Sequence, residues 1–336
     1  MLGSLAITLA VWGAFSWPLP RFLRHGIPMS SQNVEQGHVR AMLPGDHLQL
    51  LYHFELARDM VAGRIPWFHN VYEFNTGRDE DRYRPGAYYA PFSLPYALLA
   101  SLGGRAFAWN VTGLLSLWLT TLGTLWLLRR YTTNTGAMFL GTLAAIALPF
   151  RWVNLLGGSP SGLAMMWLPW IVLGVDLAVR EHRASGGLLA GAALLLCCWS
   201  DLQIFFFCVC SLPLWVLVAL ASRPAGRPLR QELRHLFKAA IPIALFLLVA
   251  ALYRFVRHDQ LTSSSMAGGR SLVEVRMFSP SWRGFWQWMA EGLQSHIYIG
   301  FVLPLLLAGS AVGVVRTRSA AGARTRVAVF FMLLAA

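Results

Sequence analysis

The sequence predicts an all-α, polytopic integral membrane protein. Charged residues make up 13% of the 336 residues, against roughly 25% in ordinary soluble domains, whereas hydrophobic residues make up 56%. Several apolar runs, Ala106–Leu128 among them, reach the roughly 20 residues that a helix needs to cross a bilayer. These runs are apolar on every side, while a helix of a soluble protein keeps a polar face. Lipid is therefore a better solvent than water for this chain.

Apolar segments follow one another along the chain and are separated by polar loops. The first is predicted to be a spanning helix rather than a cleaved signal peptide, because no basic residue precedes it. The last is too short to cross a bilayer, so we expect the chain to be an incomplete part of a longer transmembrane domain. The segments are Leu2–Pro18, Ala87–Gly103, Phe107–Leu128, Ala137–Leu156, Leu163–Val179, Gly187–Trp199, Ile204–Ala221, Ala239–Phe255, Ile299–Val315 and Val327–Ala336.

The basic residues of the short loops predict the orientation. If Ala87–Gly103 does not cross, four short loops share one side and contain 13 of the 28 Lys and Arg residues, while the short loops of the other side contain only Arg151. The positive-inside rule then places the side with more Lys and Arg, together with the N-terminus, in the cytoplasm. Pro91 and Pro95 agree with a juxtamembrane or re-entrant Ala87–Gly103. The four loops are 129–130, 180–183, 222–238 and 316–326.

This assignment predicts about eight full spans plus a truncated ninth in a single transmembrane domain over 1–336, located in the cell's inner (plasma) membrane. Residues 21–105 form a first non-cytoplasmic loop with juxtamembrane helices, and 257–297 form a second. Three polar features then share the non-cytoplasmic face: the first loop, the glycine-rich turn 157–162 and the stretch Ser200–Gln203. A site formed by them would lie at the membrane–water boundary.

The net charge of +13 and the four cysteines do not indicate a separate function. The arginines lie mostly between apolar runs and form no basic face interleaved with aromatic residues, so we expect no nucleic-acid partner. Neither cysteine pair has a C-x-x-C spacing, and we interpret the cysteines as packing residues. They are Cys197, Cys198, Cys208 and Cys210.

Asp46 precedes a predicted surface helix that begins at His47 and ends near Gly63. One interpretation is structural, because Asp at the N-cap with Gln49 three residues later is a capping-box pattern. The other is catalytic: a carboxylate at the membrane boundary can take a proton from an acceptor hydroxyl. The two interpretations are compatible.

Asp201 and two arginines are further candidates. Asp201 lies between two apolar runs, so it either caps a helix in a tight turn, with Ser200 helping, or contacts a substrate or metal at the interface. Arg58 and Arg84 either bind a lipid phosphate through the guanidinium fork or extend to lipid head groups. The histidines at 47, 53 and 69 have no metal-ligand spacing, so we assign no zinc.

A series of short motifs runs along the first loop in a fixed order. The motifs are Gly45-Asp46-x-x-Gln49, Ala57-Arg58, Gly63-Arg64-x-Pro66, Tyr83-Arg84-Pro85 and Tyr88-Tyr89-x-Pro91. Their succession resembles the C-type (GT-C) glycosyltransferase superfamily, and within it the bacterial branch labelled 6-pyruvoyl-tetrahydropterin-synthase-related membrane proteins. The resemblance covers about residues 45 to 221. It implies a first spanning helix, a long outer loop with surface helices, and further spans.

The resemblance also implies a function. Members of that superfamily transfer a sugar from a polyprenyl-phosphate donor to an acceptor on the outer face, with an acidic residue of the first outer loop as general base. Asp46 matches that residue, and we expect membrane lipids as further partners. The expected substrate contacts are Asp201, Gln49, Arg58, Arg84 and Tyr83.

Three questions stay open at this point. Some relatives bind a divalent metal through two acidic residues, but Asp79, Glu80 and Asp81 do not clearly fit that pattern, so a metal remains an alternative and no cofactor is assigned. A transporter or flippase of lipid-linked or small substrates is the rival class; it would show charged residues inside spans and paired broken helices, and we see few charges and no repeat. An inactive family member or fragment is the third reading.

Overall fold

The structure, a computed structural model, describes residues 2–28, 47–72, 82–221 and 229–256, together with 271–273 and 276. Asp46 and the acidic run 79–81 lie outside the described residues. So do most of the second long loop and the two last apolar segments. Within the described ranges the chain is helical, and the only extended pairing there is an isolated antiparallel bridge between His69 and Tyr83. The predicted all-α class is thereby confirmed for this part of the chain.

Eleven α-helices make up the described residues, with short 3-10 turns at Leu19–Phe22 and Met165–Trp167. The helices are α1 Leu2–Phe15, α2 His47–Val61, α3 Ala90–Gly103, α4 Arg105–Leu128, α5 Thr135–Ile146, α6 Pro149–Leu156, α7 Pro160–Ala164, α8 Leu168–Arg180, α9 Ala184–Ser200, α10 Leu202–Ala221 and α11 Leu229–Val256.

Three helical segments of the described residues are long and apolar enough to cross a membrane: Arg105–Leu128, Pro160–Arg180 and Leu233–Phe255. The pair α5 and α6, bent by 44°, adds a fourth if it counts as one span. Other apolar helices, including α1, α3 and α9, are shorter. The helices are thus compatible with a membrane protein, and the predicted count of eight spans stays a prediction.

The core forms where α4 packs on α8 and α8 packs on α9. Small residues let the backbones of α8 and α9 approach closely. A Cβ atom on Gly174 would lie 2.5 Å from the backbone nitrogen of Ala190, and one on Gly186 would lie 2.4 Å from that of Ala178. The small residues are four positions apart in each helix: Gly174 and Ala178 in α8, and Gly186 and Ala190 in α9. This spacing lets apolar helices pack closely, because no large side chain separates their backbones.

One end of the bundle gathers three of the predicted basic loops. Arg130, which follows α4, forms ion pairs with Asp176 and Glu181 at the end of α8. The rings of His182 and His235, the latter in α11, lie 4.3 Å apart. The loops at 129–130 and 180–183 and the start of α11 therefore lie together, at what we call the basic end.

Helix α3 begins and ends beside α2. Near its start, the ring of Tyr89 lies 5.5 Å from that of His53. Further along, the Tyr96 hydroxyl donates a hydrogen bond to Glu55, and Arg105, just after α3, forms an ion pair of 3.0 Å with the same carboxylate. Both the start of α3 and the residue after its end therefore lie beside α2, and the predicted place of Ala87–Gly103 in the first long loop stays a prediction.

Candidate functional site

A cavity of about 460 Å³ with mixed polar, aromatic and apolar walls lies where α2, the loop before α3, the start of α7 and the junction of α9 with α10 meet. Because it contains charged and polar side chains that the neighbouring groove lacks, we call it the polar cavity. It unites the three polar features that the sequence predicted to share one face. The cavity walls include His53, Arg84, Tyr88, Asp201, Gln203 and Tyr253.

Asp201 lies in the cavity wall with extended backbone between α9 and α10. Its Oδ1 accepts a hydrogen bond of 2.7 Å from the backbone N–H of Ile204, and its Oδ2 accepts one of 3.0 Å from the hydroxyl of Ser161 in α7. The first contact satisfies a donor at the start of α10, so the capping interpretation is confirmed. The carboxylate also lines the cavity, so a substrate contact remains open.

Ser200 does not help with this cap, contrary to our expectation. Its hydroxyl donates to the carbonyl of Leu196 one turn earlier at 2.7 Å and accepts from the indole N–H of Trp167 at 3.0 Å. Ser200 is buried, and its hydroxyl accepts the hydrogen bond of the Trp167 indole instead of capping the start of α10.

Arg84 brings a positive charge to the cavity. Its backbone is fixed, because its N–H donates to the carbonyl of Phe68 at 2.7 Å and its carbonyl accepts from the Tyr88 hydroxyl at 2.5 Å. The side chain is exposed, and no carboxylate among the described residues pairs with it. The guanidinium is therefore available for an anion.

An aromatic wall surrounds His53. Its ring lies 5.5 Å from that of Tyr52, 6.1 Å from that of Tyr88 and 5.5 Å from that of Tyr89. Tyr88 and Tyr89 both have left-handed backbone, with φ of 46° and 55°, a conformation that costs roughly 1–2 kcal/mol per residue. Contacts with the surrounding residues must offset this free-energy cost. The backbone of Tyr88 and Tyr89 is therefore held in place by its tertiary contacts.

An apolar groove of about 400 Å³ adjoins the cavity. The two share Gly86, Ala87, Tyr88, Trp199 and Tyr253 as a common wall. The rest of the groove is mostly apolar or aromatic: Ala57, Met60, Trp67, Phe68, Pro85, Ala90, Ser93 and Leu94. A cavity with mixed polar and aromatic walls and an almost wholly apolar groove thus lie side by side.

The remaining predicted site residues lie elsewhere. Gln49 is exposed on α2 and does not line the cavity. Tyr83 is exposed and packs on the His69 ring at 5.4 Å. Arg58 pairs with Glu55 at 2.8 Å and lines a different groove. The structure therefore brings together Arg84 and Asp201 and separates them from these three.

The described residues contain no group of three or more His, Cys, Asp or Glu side chains that could hold a metal ion. Among the histidines, His47 is buried and its Nε2 lies 2.6 Å from the carbonyl oxygen of Leu156. His47 therefore fixes the start of α2 against the turn that precedes α7.

Sequence reasoning missed His53 and Tyr253 as site residues. Tyr253 lies near the end of a predicted span, and its hydroxyl accepts a hydrogen bond of 2.9 Å from the N–H of Ala87. A tyrosine at the boundary of an apolar helix is a common interfacial residue, so its partner could not be foreseen. His53 carried no motif signal beyond its place in the first loop.

The fold and the cavity together define an all-helical protein with several apolar helices and a polar cavity at one end of the bundle. Comparison with protein-family models, curated proteins and solved structures found no match to this chain.

Proposed function

We propose that this protein is a membrane glycosyltransferase that transfers a sugar from a polyprenyl-phosphate donor to an acceptor on the non-cytoplasmic face. The observation that supports it is the shared wall between the polar cavity, which contains Arg84, and the apolar groove. A lipid-linked sugar has the same division: a polar head, a phosphate and a long apolar chain. Its phosphate and sugar fit the cavity, and the first isoprene units fit the groove.

The transfer makes two chemical demands. The bond from the anomeric carbon to the acceptor oxygen forms while the bond to the phosphate oxygen breaks, so negative charge grows on the departing polyprenyl phosphate. The Arg84 guanidinium supplies planar donors for that charge. The acceptor hydroxyl loses its proton to a carboxylate base, a role that the resemblance gives to Asp46.

Asp201 suits substrate contact better than proton abstraction. Each of its oxygens already accepts one hydrogen bond within the protein, which holds the carboxylate in one orientation and leaves further lone pairs toward the cavity. An oriented carboxylate can accept hydrogen bonds from sugar hydroxyls. Gln203, exposed at the start of α10 and part of the cavity wall, is a second candidate for such contacts.

The test is sugar transfer by the reconstituted protein, using a panel of radiolabelled polyprenyl-phosphate hexoses and pentoses. We expect Arg84→Gln to lower turnover by about 100-fold or more, because one electrostatic donor to a transition state contributes on the order of 10²–10³. Arg183→Gln is the control, since that arginine is exposed and pairs with Glu181 at the basic end. Equal turnover in both variants would contradict the role of Arg84.

Two further variants distinguish the proposed roles of Asp46 and Asp201. Asp46→Asn should abolish transfer at a normal protein level, whereas Asp201→Asn, which keeps an oxygen to cap α10, should mainly raise the KM for the donor. Unchanged turnover of Asp46→Asn would remove Asp46 from the mechanism. A lack of transfer from every donor, by a wild-type protein that is folded, would contradict the proposed function.

The rival transporter class has one observation in its favour. Arg151 is buried in α6, just after the bend between α5 and α6, as expected of a charge inside a broken span. However, its guanidinium donates to the hydroxyls of Thr120 and Ser116, and it lines neither the polar cavity nor the apolar groove. The glycosyltransferase therefore remains the better supported function.

A further inference from the structure

A second groove lies between α2 and α3, apart from the polar cavity. Its volume is about 410 Å³. At roughly 100° per residue of helix, Arg58 points to a different side of α2 from His53, which lines the cavity. The walls of this α2–α3 groove are Arg58, Val61, Ala62, Arg64, Leu94, Ala97, Leu98, Ala100 and Ser101.

The charges around this groove form one connected cluster. Arg58 pairs with Glu55 at 2.8 Å, and Arg105 pairs with the same carboxylate at 3.0 Å. Arg64 pairs with Asp59 at 3.0 Å. Three arginines thus pair with two carboxylates, so the cluster has one positive charge in excess. Arg58 and Arg64 line the groove, and Arg105 joins the cluster through Glu55.

Some guanidinium N–H groups of these arginines form no hydrogen bond with Glu55 or Asp59. Arg64 donates to Asp59 through Nη1, and Arg105 pairs with Glu55 through Nε, so Nη2 of Arg64 and both Nη atoms of Arg105 have no acceptor among the described residues. The Nε of Arg58 is buried and likewise lacks one there. Arg64 and Arg105 are 62% and 66% exposed, so an anion can reach them from outside.

Apolar side chains lie next to these donors. Val61, Leu94 and Leu98 are all exposed, and Leu98 is 65% exposed. A free phosphate ion would gain nothing from such neighbours, whereas an acyl chain would cover them and gain roughly 25 cal/mol per Å² of apolar surface removed from water. The combination selects an anion that is attached to an apolar chain.

We infer that the α2–α3 groove binds an anionic phospholipid. Its phosphate accepts hydrogen bonds from Arg64 and Arg105, and one acyl chain lies along Leu94 and Leu98. The bound lipid fixes α2 and α3 to the membrane surface at the end of the bundle that carries the polar cavity. Lipid binding in this groove requires no sugar transfer by the protein.

The experiment places a photoreactive residue, benzoylphenylalanine, at position 98 of the full chain in nanodiscs made of equal parts phosphatidylglycerol and phosphatidylcholine. Lipid adducts are counted by mass spectrometry after irradiation. We expect phosphatidylglycerol adducts to exceed phosphatidylcholine adducts by about five-fold or more, since one arginine near a charged membrane surface contributes about 1 kcal/mol. The same probe at Leu245, an exposed position midway along α11 and far from the basic end, should show no preference.

The pair of substitutions Arg64→Gln and Arg105→Gln tests the assigned donors. It should return the adduct ratio at position 98 to that at position 245, while Arg183→Gln, which removes an arginine of similar exposure that also pairs with a carboxylate, should leave the ratio at position 98 high. An equal ratio in the wild type would overturn the inference. A high adduct ratio at position 98 in the double variant would also overturn the inference. So would the loss of this ratio in 10 mM inorganic phosphate (about the level of a phosphate buffer), because a phospholipid must bind this groove more tightly than the free ion does.

Discussion

At the scale of single residues, Asp201 shows that a structural and a functional interpretation need not exclude each other. The carboxylate caps α10 and binds Ser161 of α7, so it holds three helices in place around the cavity. The same contacts fix the orientation of its oxygens toward any ligand. The cap is observed, and a substrate contact by the same carboxylate stays a prediction.

Asp59 is the residue whose electrostatics predict a pH dependence. Burial alone would raise its pKa, but hydrogen bonds from Tyr72 and Arg64 and the positive charges of Arg58 and Arg64 outweigh burial and hold the pKa below its ordinary value of 3.8. A lowered pKa means that the carboxylate stabilises the folded protein fully above pH 3.8. That stabilisation is lost as the pH falls through the folded value.

We therefore predict that Asp59→Asn lowers the Tm at pH 7 and that this difference shrinks as the pH falls below 3.8, through the lower pKa of the folded protein. A hydrogen bond to a charged group contributes roughly 1.5–3 kcal/mol, which sets the size of the effect. The measurement is thermal unfolding in detergent across that pH range. Tyr72→Phe, which removes one hydrogen bond, should weaken the pH dependence; a difference that is constant with pH would contradict the account.

At the scale of helices, the close packing of α8 on α9 depends on glycines. We predict that Gly186→Ala destabilises the protein by about 1–3 kcal/mol, the usual effect of overpacking, because the added carbon would lie 2.4 Å from the backbone nitrogen of Ala178. Gly13→Ala in α1 is the control, since nothing lies within 4 Å of its added carbon. The measurement is the Tm of each variant by tryptophan fluorescence.

Alanine is the better helix former by roughly 1 kcal/mol, so Gly13→Ala should be neutral or stabilising. If Gly186→Ala behaved in the same way, the two helices would have to lie further apart than the structure shows.

The sequence predicted most helices but not their interruptions. The segment Ala137–Leu156, predicted as one apolar helix, is divided between α5 and α6 in the structure, and the two helices are bent by 44°. Pro149 lies in the first turn of α6, just after this bend. The proline was visible, but its effect depends on whether neighbouring helices can accept the bend. The place of Ala87–Gly103 relative to the membrane rests on a different kind of signal, the charges of several loops together, and stays a prediction.

At the scale of the whole molecule, the bundle has two chemically different ends. Arg130, Glu181 and His235 meet at the basic end, whereas Arg84 and Asp201 meet at the other. The sequence predicted this division from loop charges alone. It could not predict which residues of the first loop reach the cavity, because the fold of the segment after α2 depends on contacts such as that between Tyr52 and Asn70.

The orientation of these ends is the prediction that belongs to this scale. In a background with the four native cysteines replaced by alanine, we introduce cysteine at Thr133 or at Gln203, both exposed. A membrane-impermeant maleimide should label Gln203→Cys in intact cells and Thr133→Cys only after permeabilisation. The reverse result would invert the topology, and labelling of both from one side would contradict a bundle that spans the membrane.

The hydrogen bond between Ala87 and Tyr253 joins positions 166 residues apart. Translation proceeds from the N-terminus, and domains generally fold in that order. The ribosome must therefore release α11 before the wall between the cavity and the groove can close. A nascent chain that has inserted every described helix before α11 still lacks part of this wall, because Tyr253 of α11 lines both the cavity and the groove.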